Sequence, residues 1–128
     1  MNLSFIKAIV WATLIFIGSA LSGDTLHGIK LINIPGFDKL IHFTWYFVLF
    51  LFLAAGVFKW KGKTSLSNLF IILVLCVIYG GLLEFLQGNV FIKRSEDIND
   101  FVANSAGAII GSVLFQFFYR RKFWRKWL

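Results

Sequence analysis

Four stretches of this chain run for the length of a bilayer crossing with almost no ionisable group, and that pattern leaves few folds open. Ala8–Gly23, Thr64–Leu83 and Phe101–Tyr119 contain no Asp, Glu, Lys, Arg or His, and the 19 residues Leu40–Phe58 contain only His42. A helix rises about 1.5 Å per residue, so about 20 residues cross the roughly 30 Å of hydrocarbon in a membrane. Helices on the surface of soluble proteins show a polar face at every turn, and these runs do not. The expectation is an all-α polytopic membrane protein, a four-transmembrane-helix bundle with helices at about 5–23, 39–58, 65–87 and 99–119. These make a single domain over residues 1–128, closed by a basic–aromatic tail at 120–128. Composition agrees: 59% of residues are hydrophobic and 15% charged, and a soluble domain this small could not cover so much apolar surface.

The formal net charge of +7 does not indicate nucleic acid, because the basic residues flank apolar runs and belong to no nucleic-acid-binding motif. Their distribution instead sets orientation. With the N-terminus inside, Lys7, Lys59, Lys61, Lys63, Arg120, Arg121, Lys122, Arg125 and Lys126 lie on the cytoplasmic side, against Lys30, Lys39, Lys93 and Arg94 outside. Nine against four places both termini in the cytoplasm of a bacterial inner-membrane protein. Lys7, the apolar centre after it and the small-residue run Gly18–Gly23 also fit a cleavable signal peptide; the length of the run favours a retained helix. Interleaved basic and aromatic residues from Phe118 to Leu128 read as an interfacial anchor on the anionic inner leaflet. Cys76, the single cysteine, lies in an apolar run and has no partner for a disulfide within the chain.

All six acidic residues fall at one membrane face. Asp24 follows the first helix, Asp38 begins the second, Glu84 ends the third, and Glu96, Asp97 and Asp100 lead into the fourth. The up-and-down order then puts every acid on the outer side and none on the inner, an asymmetry that holding a bundle together does not require.

Three motifs carry the polar residues. Asp38, His42 and Tyr46 repeat every four residues, so they share one helix face. Asp38 also suits an N-cap after the Pro35-Gly36 turn, and Lys39 can extend to the headgroups. His42 stands about a turn inside an apolar span, where a polar group faces a partner or a cavity. Glu84 and Gln87 share a face of the third helix, and a carboxyl group there must be neutral, paired or wet. Asp97, Asp100 and Asn104 form one stripe on the fourth helix, and acids at its start suit the helix dipole. The stripe continues to Gly107 and Gly111, a small-residue pair that lets another helix approach closely.

Taken together, Asp38-Lys39-x-x-His42-x-x-x-Tyr46, Glu84-x-x-Gln87 and Arg94-x-x-Asp97-x-x-Asp100-x-x-x-Asn104-x-x-Gly107-x-x-x-Gly111 resemble the VanZ-like family of bacterial membrane proteins. The match spans Asp38 to Gly111; Phe50 stands where members often have Gly, and Arg94 lacks the Pro that often precedes it. The resemblance implies a cell-envelope protein in a family whose namesake is linked to antibiotic resistance, as reduced susceptibility to the glycopeptide teicoplanin.

Three functions are open at this stage. A binding or envelope-modifying protein would hold an anionic or lipid-linked molecule at the outer face, with Lys39 and Arg94 on its charge and Asp38, Tyr46, Gln87 and Asn104 as further ligand-binding candidates. An intramembrane enzyme would draw its catalytic residues from His42, Glu84, Asp97 and Asp100, residue types that general acid–base catalysis or divalent-metal binding uses. A structural assembly protein would use the same groups to lock the bundle. No metal-ligand spacing is present along the chain, so no metal and no cofactor are expected. The bilayer is the expected partner, nucleic acid is not, and a transport path would require a homodimer.

Overall fold

The computed structural model describes residues 2–21, 36–91, 97–121 and 127–128. Four helices make up the described fold: α1 (Leu3–Ala20), α2 (Phe37–Lys61), α3 (Leu66–Asn89) and α4 (Ile98–Arg120). Each is long and apolar enough to cross a membrane, and together they form an all-α bundle. The helix ends follow from caps rather than from hydropathy. Asn2 accepts from the Phe5 N–H and starts α1, Ser65 accepts from the Asn68 N–H and starts α3, and Asp97 accepts from the Asn99 N–H and starts α4.

The start of α2 differs from the sequence expectation. Its N-cap is Gly36, at φ 79°, and Asp38 sits in the first turn without capping. A left-handed backbone is open to glycine at little cost, so the chain turns at Gly36 and leaves the Asp38 carboxylate available to Lys39. Gly62, at φ 72°, ends the same helix, its N–H bonded to Phe58 O at 2.8 Å. This cap carries α2 three residues beyond its apolar run.

Neighbouring helices alternate in direction. At one end the Asn2 amide donates to Gly56 O (2.8 Å), Lys59 donates to Ser4 (2.9 Å), and Gln116 donates to Thr64 (3.3 Å). Ser4 and Lys7 also hold the backbone oxygens of Leu128 and Trp127. The opposite end holds Ser19, Asp38, Glu84 and Asp97.

Helix α2 is the centre of the bundle and packs most extensively against α4, then α1 and α3. Its buried stripe runs through His42, Tyr46, Leu49, Phe50, Ala54 and Ala55, a three-and-four spacing that stays on one side. Gly107 makes the α2–α4 approach feasible: a Cβ there would stand 2.1 Å from the Phe43 carbonyl oxygen. One turn on, a Cβ at Gly111 would meet Phe50 Cβ at 3.1 Å and Phe47 O at 3.2 Å. Helix α1 joins through the Trp11 indole N–H on Trp45 O (2.9 Å) and through Ala12 O, which accepts from the Tyr79 hydroxyl at 2.8 Å.

The polarity of the bundle is that of a protein dissolved in lipid. Ile71, Leu75, Ile78 and Leu82 on α3 and Ile109, Val113 and Phe117 on α4 face outward, while His42, Glu84, Gln87, Asp100 and Asn104 are buried. Hydrocarbon solvates the first group well, and the second must find partners inside.

Candidate functional site

The buried polar side chains of α2, α3 and α4 meet at the end of the bundle opposite Lys59. His42 projects from the second turn of α2, and its Nδ1 lies 3.0 Å from Asn104 Oδ1 on α4. The other half of that amide turns to α3, where Asn104 Nδ2 donates to Glu84 Oε1 at 3.5 Å. Asn104 reaches both because Gly80 lets α3 come close: a Cβ at Gly80 would lie 3.3 Å from Asn104 Cβ and 3.4 Å from a Tyr46 ring carbon. Glu84 Oε2 accepts from the Asp97 backbone N–H at 3.3 Å, which ties the start of α4 to the end of α3. On the far side of the imidazole, His42 Nε2 faces Asp100 Oδ2 at 3.6 Å.

Lys39 stands over this cluster. Its ammonium is 2.7 Å from Asp38 Oδ2, 2.9 Å from Asp97 Oδ2 and 3.1 Å from Asp100 Oδ1. Its hydrogen bond to Asp97, helped by the Asn99 N–H, holds that carboxyl below the usual Asp value. Asp100 Oδ1 is buried, and its partner is this ammonium.

The remaining expected residues take other places. Gln87 is 1% exposed, and its amide donates to Ser19 O at 3.2 Å, so it fastens α3 to α1 and does not face the cluster. Tyr46 is also buried, and its hydroxyl has no hydrogen-bond partner. Arg94 lies outside the described residues, as do Asp24, Glu96 and most of the basic–aromatic tail. Among the described residues, every acid sits at this end of the bundle.

A groove of about 500 Å³ opens beside the cluster, between α3 and α4, lined by Gly81, Glu84, Phe85, Asp97, Ile98 and Phe101. Sequence reasoning picked out only its two acids. Its apolar members follow from helix spacing, since Gly81 and Phe85 flank Glu84 by three residues and one, and Ile98 and Phe101 follow Asp97 by one residue and four. Nothing in hydropathy distinguishes them from ordinary lipid-facing side chains.

Chemically, the cluster offers one imidazole, two nearly buried carboxylates and an orienting amide, with one ammonium already shared among three acids. It suits a proton, a cation or a hydrogen-bond donor. Comparison with known proteins adds a family: no curated protein and no solved structure matches this chain, whereas the family model described as VanZ/LLP1 matches residues 3–119. The stretch covers all four helices and the whole cluster, and the chain is a member of the VanZ/LLP1 family of membrane proteins.

Proposed function

We propose that this protein binds the polar head of a lipid-linked envelope molecule at the outer face of the bacterial inner membrane. The observation that carries the reading is the groove between α3 and α4. Its lining combines two carboxylates, from Glu84 and Asp97, with the apolar side chains of Phe85, Ile98 and Phe101. Phe85 is 58% exposed and Ile98 72%. An amphiphile diffusing in the outer leaflet can lay its chain on those side chains and its head against Glu84 without leaving the membrane. Positive residues concentrated at the opposite end support the outward orientation.

Of the two cations expected to hold an anionic head, Arg94 lies outside the described residues, and Lys39 has its ammonium engaged by three carboxylates. A head carrying hydroxyl, amide or ammonium donors therefore fits the bare groove better than a free anion does. Modification of the molecule, as opposed to binding alone, would draw on His42 and Asp100, residue types that serve in general acid–base chemistry. A cell-wall precursor on a lipid carrier has the required shape, and it would connect the site to teicoplanin susceptibility.

The test is mass spectrometry of lipids that co-purify with the full-length protein in mild detergent. Gly81→Leu fills the floor of the groove, and Glu84→Gln removes its charge. A lipid species retained by the wild type and lost from Gly81→Leu supports the reading, and identical lipid profiles in all three proteins overturn it. Deleting and restoring the gene, followed by a survey of envelope lipids and cell-wall precursors, identifies the species in the cell.

A further inference from the structure

The two ring nitrogens of His42 face different partners. Asn104 Oδ1 can only accept, so His42 Nδ1, 3.0 Å away, carries a proton and donates it. In a neutral imidazole the other nitrogen is then an acceptor. That nitrogen, Nε2, faces Asp100 Oδ2, another acceptor, at 3.6 Å. The gap suits two ligands of one ion, since atoms at about 2.1 Å from a tetrahedral centre stand about 3.4 Å apart.

We infer that His42 Nε2, Glu84 and Asp100 bind a divalent transition-metal cation, Zn²⁺ or Mn²⁺. One ligand atom from each residue lies within 4.8 Å of the other two, and all three side chains are buried. Donors of this kind, one imidazole and two carboxylates, suit these ions, whereas Mg²⁺ prefers oxygen ligands and retained water.

One further observation points to a cation. Asp38, Asp97 and Asp100 gather around a single ammonium, that of Lys39, at 2.7, 2.9 and 3.1 Å, so one positive charge faces three carboxylates. Asn104 supplies the support that metal-binding side chains need: its amide oxygen fixes the His42 tautomer, and its nitrogen orients Glu84. No spacing along the chain shows this site, because its ligands come from three helices.

Three protein ligands leave a position open, and Glu84 belongs both to the ion site and to the groove wall. The ion is thus placed to accept a phosphate or carboxylate oxygen from the head of the bound amphiphile, which gives an acidic groove affinity for an anion. This last step rests on the groove reading above; the ion site does not.

The test is calorimetric titration of Zn²⁺, and separately Mn²⁺, into chelator-stripped full-length protein in detergent. The expected result is one ion per chain. Asp100→Asn and Glu84→Gln should abolish binding, and Asn104→Ala should weaken it about 10- to 100-fold. Melting curves of each stripped variant separate loss of ligand from loss of fold, and Asp100→Asn keeps the side-chain shape. Wild-type protein that takes up neither ion overturns the site, as does equal binding by a folded Asp100→Asn. Ion binding together with a lipid profile unaffected by Gly81→Leu keeps the metal and removes the groove reading. A lipid profile that depends on Gly81 in protein that binds no ion does the reverse.

Discussion

His42 and Asn104 are 62 positions apart in the chain, yet their side chains meet at 3.0 Å in the buried centre of the site. The contact joins α2 to α4, and the same amide reaches Glu84 on α3, so one side chain links three helices. Replacing it with Ala removes this partner from the buried His42 Nδ1. Loss of a partner for a buried polar group costs about 1–3 kcal/mol. Asn104→Ala should therefore lower the melting temperature of the purified protein measurably even when no metal is present. An unchanged melting temperature would show that the amide does not join the helices.

The α2–α4 seam makes a sharper steric prediction. A methyl group at residue 107 would stand 2.1 Å from a backbone oxygen of Phe43, an atom that cannot rotate away, so α4 must move. Overpacking of this kind costs about 1–3 kcal/mol or more. Gly107→Ala is expected to destabilise the bundle and, by shifting Asn104 and Asp100 away from His42, to abolish ligand retention. Gly81→Ala is the control, because its nearest neighbour would be Phe101 at 3.4 Å, an ordinary contact. Comparable melting temperatures for the two variants would contradict the packing.

These two cases mark what the sequence makes legible. Spacing along a single helix is local geometry, so the shared faces of Asp38 with His42 and of Asp97 with Asp100 and Asn104 can be read directly, as can the four apolar spans. Spacing does not say which neighbour a face meets. Gln87 shares a face with Glu84, but its amide ends on Ser19 of α1. Lys39 looks like a free cation near the headgroups and is instead held by three acids. The Asp38 cap failed for a backbone reason: the turn into α2 uses a left-handed residue, which Gly36 supplies. The grouping of His42, Glu84 and Asp100 is a product of helix packing alone.

Lys39 yields a prediction that separates a binding residue from an organising one. Its ammonium is the shared partner of Asp38, Asp97 and Asp100. An exposed ion pair contributes about 0.2–1 kcal/mol, but removing the centre of three leaves the carboxylates repelling one another next to His42. Lys39→Met should lower stability by more than Lys61→Met, whose exposed ammonium has a long contact to Asn68 at 3.4 Å and lies 5.4 Å from the centre of the Trp60 ring. Adding Lys39→Met to Asp97→Asn should cost less than the sum of the two separate changes, since the variants share one interaction. Additive losses in melting temperature would mean that the two groups do not act together.

Two tyrosines on facing helices differ in whether their hydroxyls are used. Tyr79 donates to Ala12 O at 2.8 Å and ties α3 to α1, whereas Tyr46, a ring-to-ring distance of 6.1 Å away, has a buried hydroxyl with no hydrogen-bond partner. A satisfied hydrogen bond contributes about 0.5–1.5 kcal/mol, whereas a buried hydroxyl without one is a cost that its removal relieves. Tyr79→Phe should thus lower the melting temperature, and Tyr46→Phe should leave it unchanged or raise it. A clear loss in Tyr46→Phe, measured on lipid-depleted and metal-stripped protein, would mean that its hydroxyl has a partner within the chain. A loss seen only before stripping would mean that the hydroxyl contacts the bound molecule, which would place Tyr46 in the binding site together with His42, four residues before it on the same face of α2.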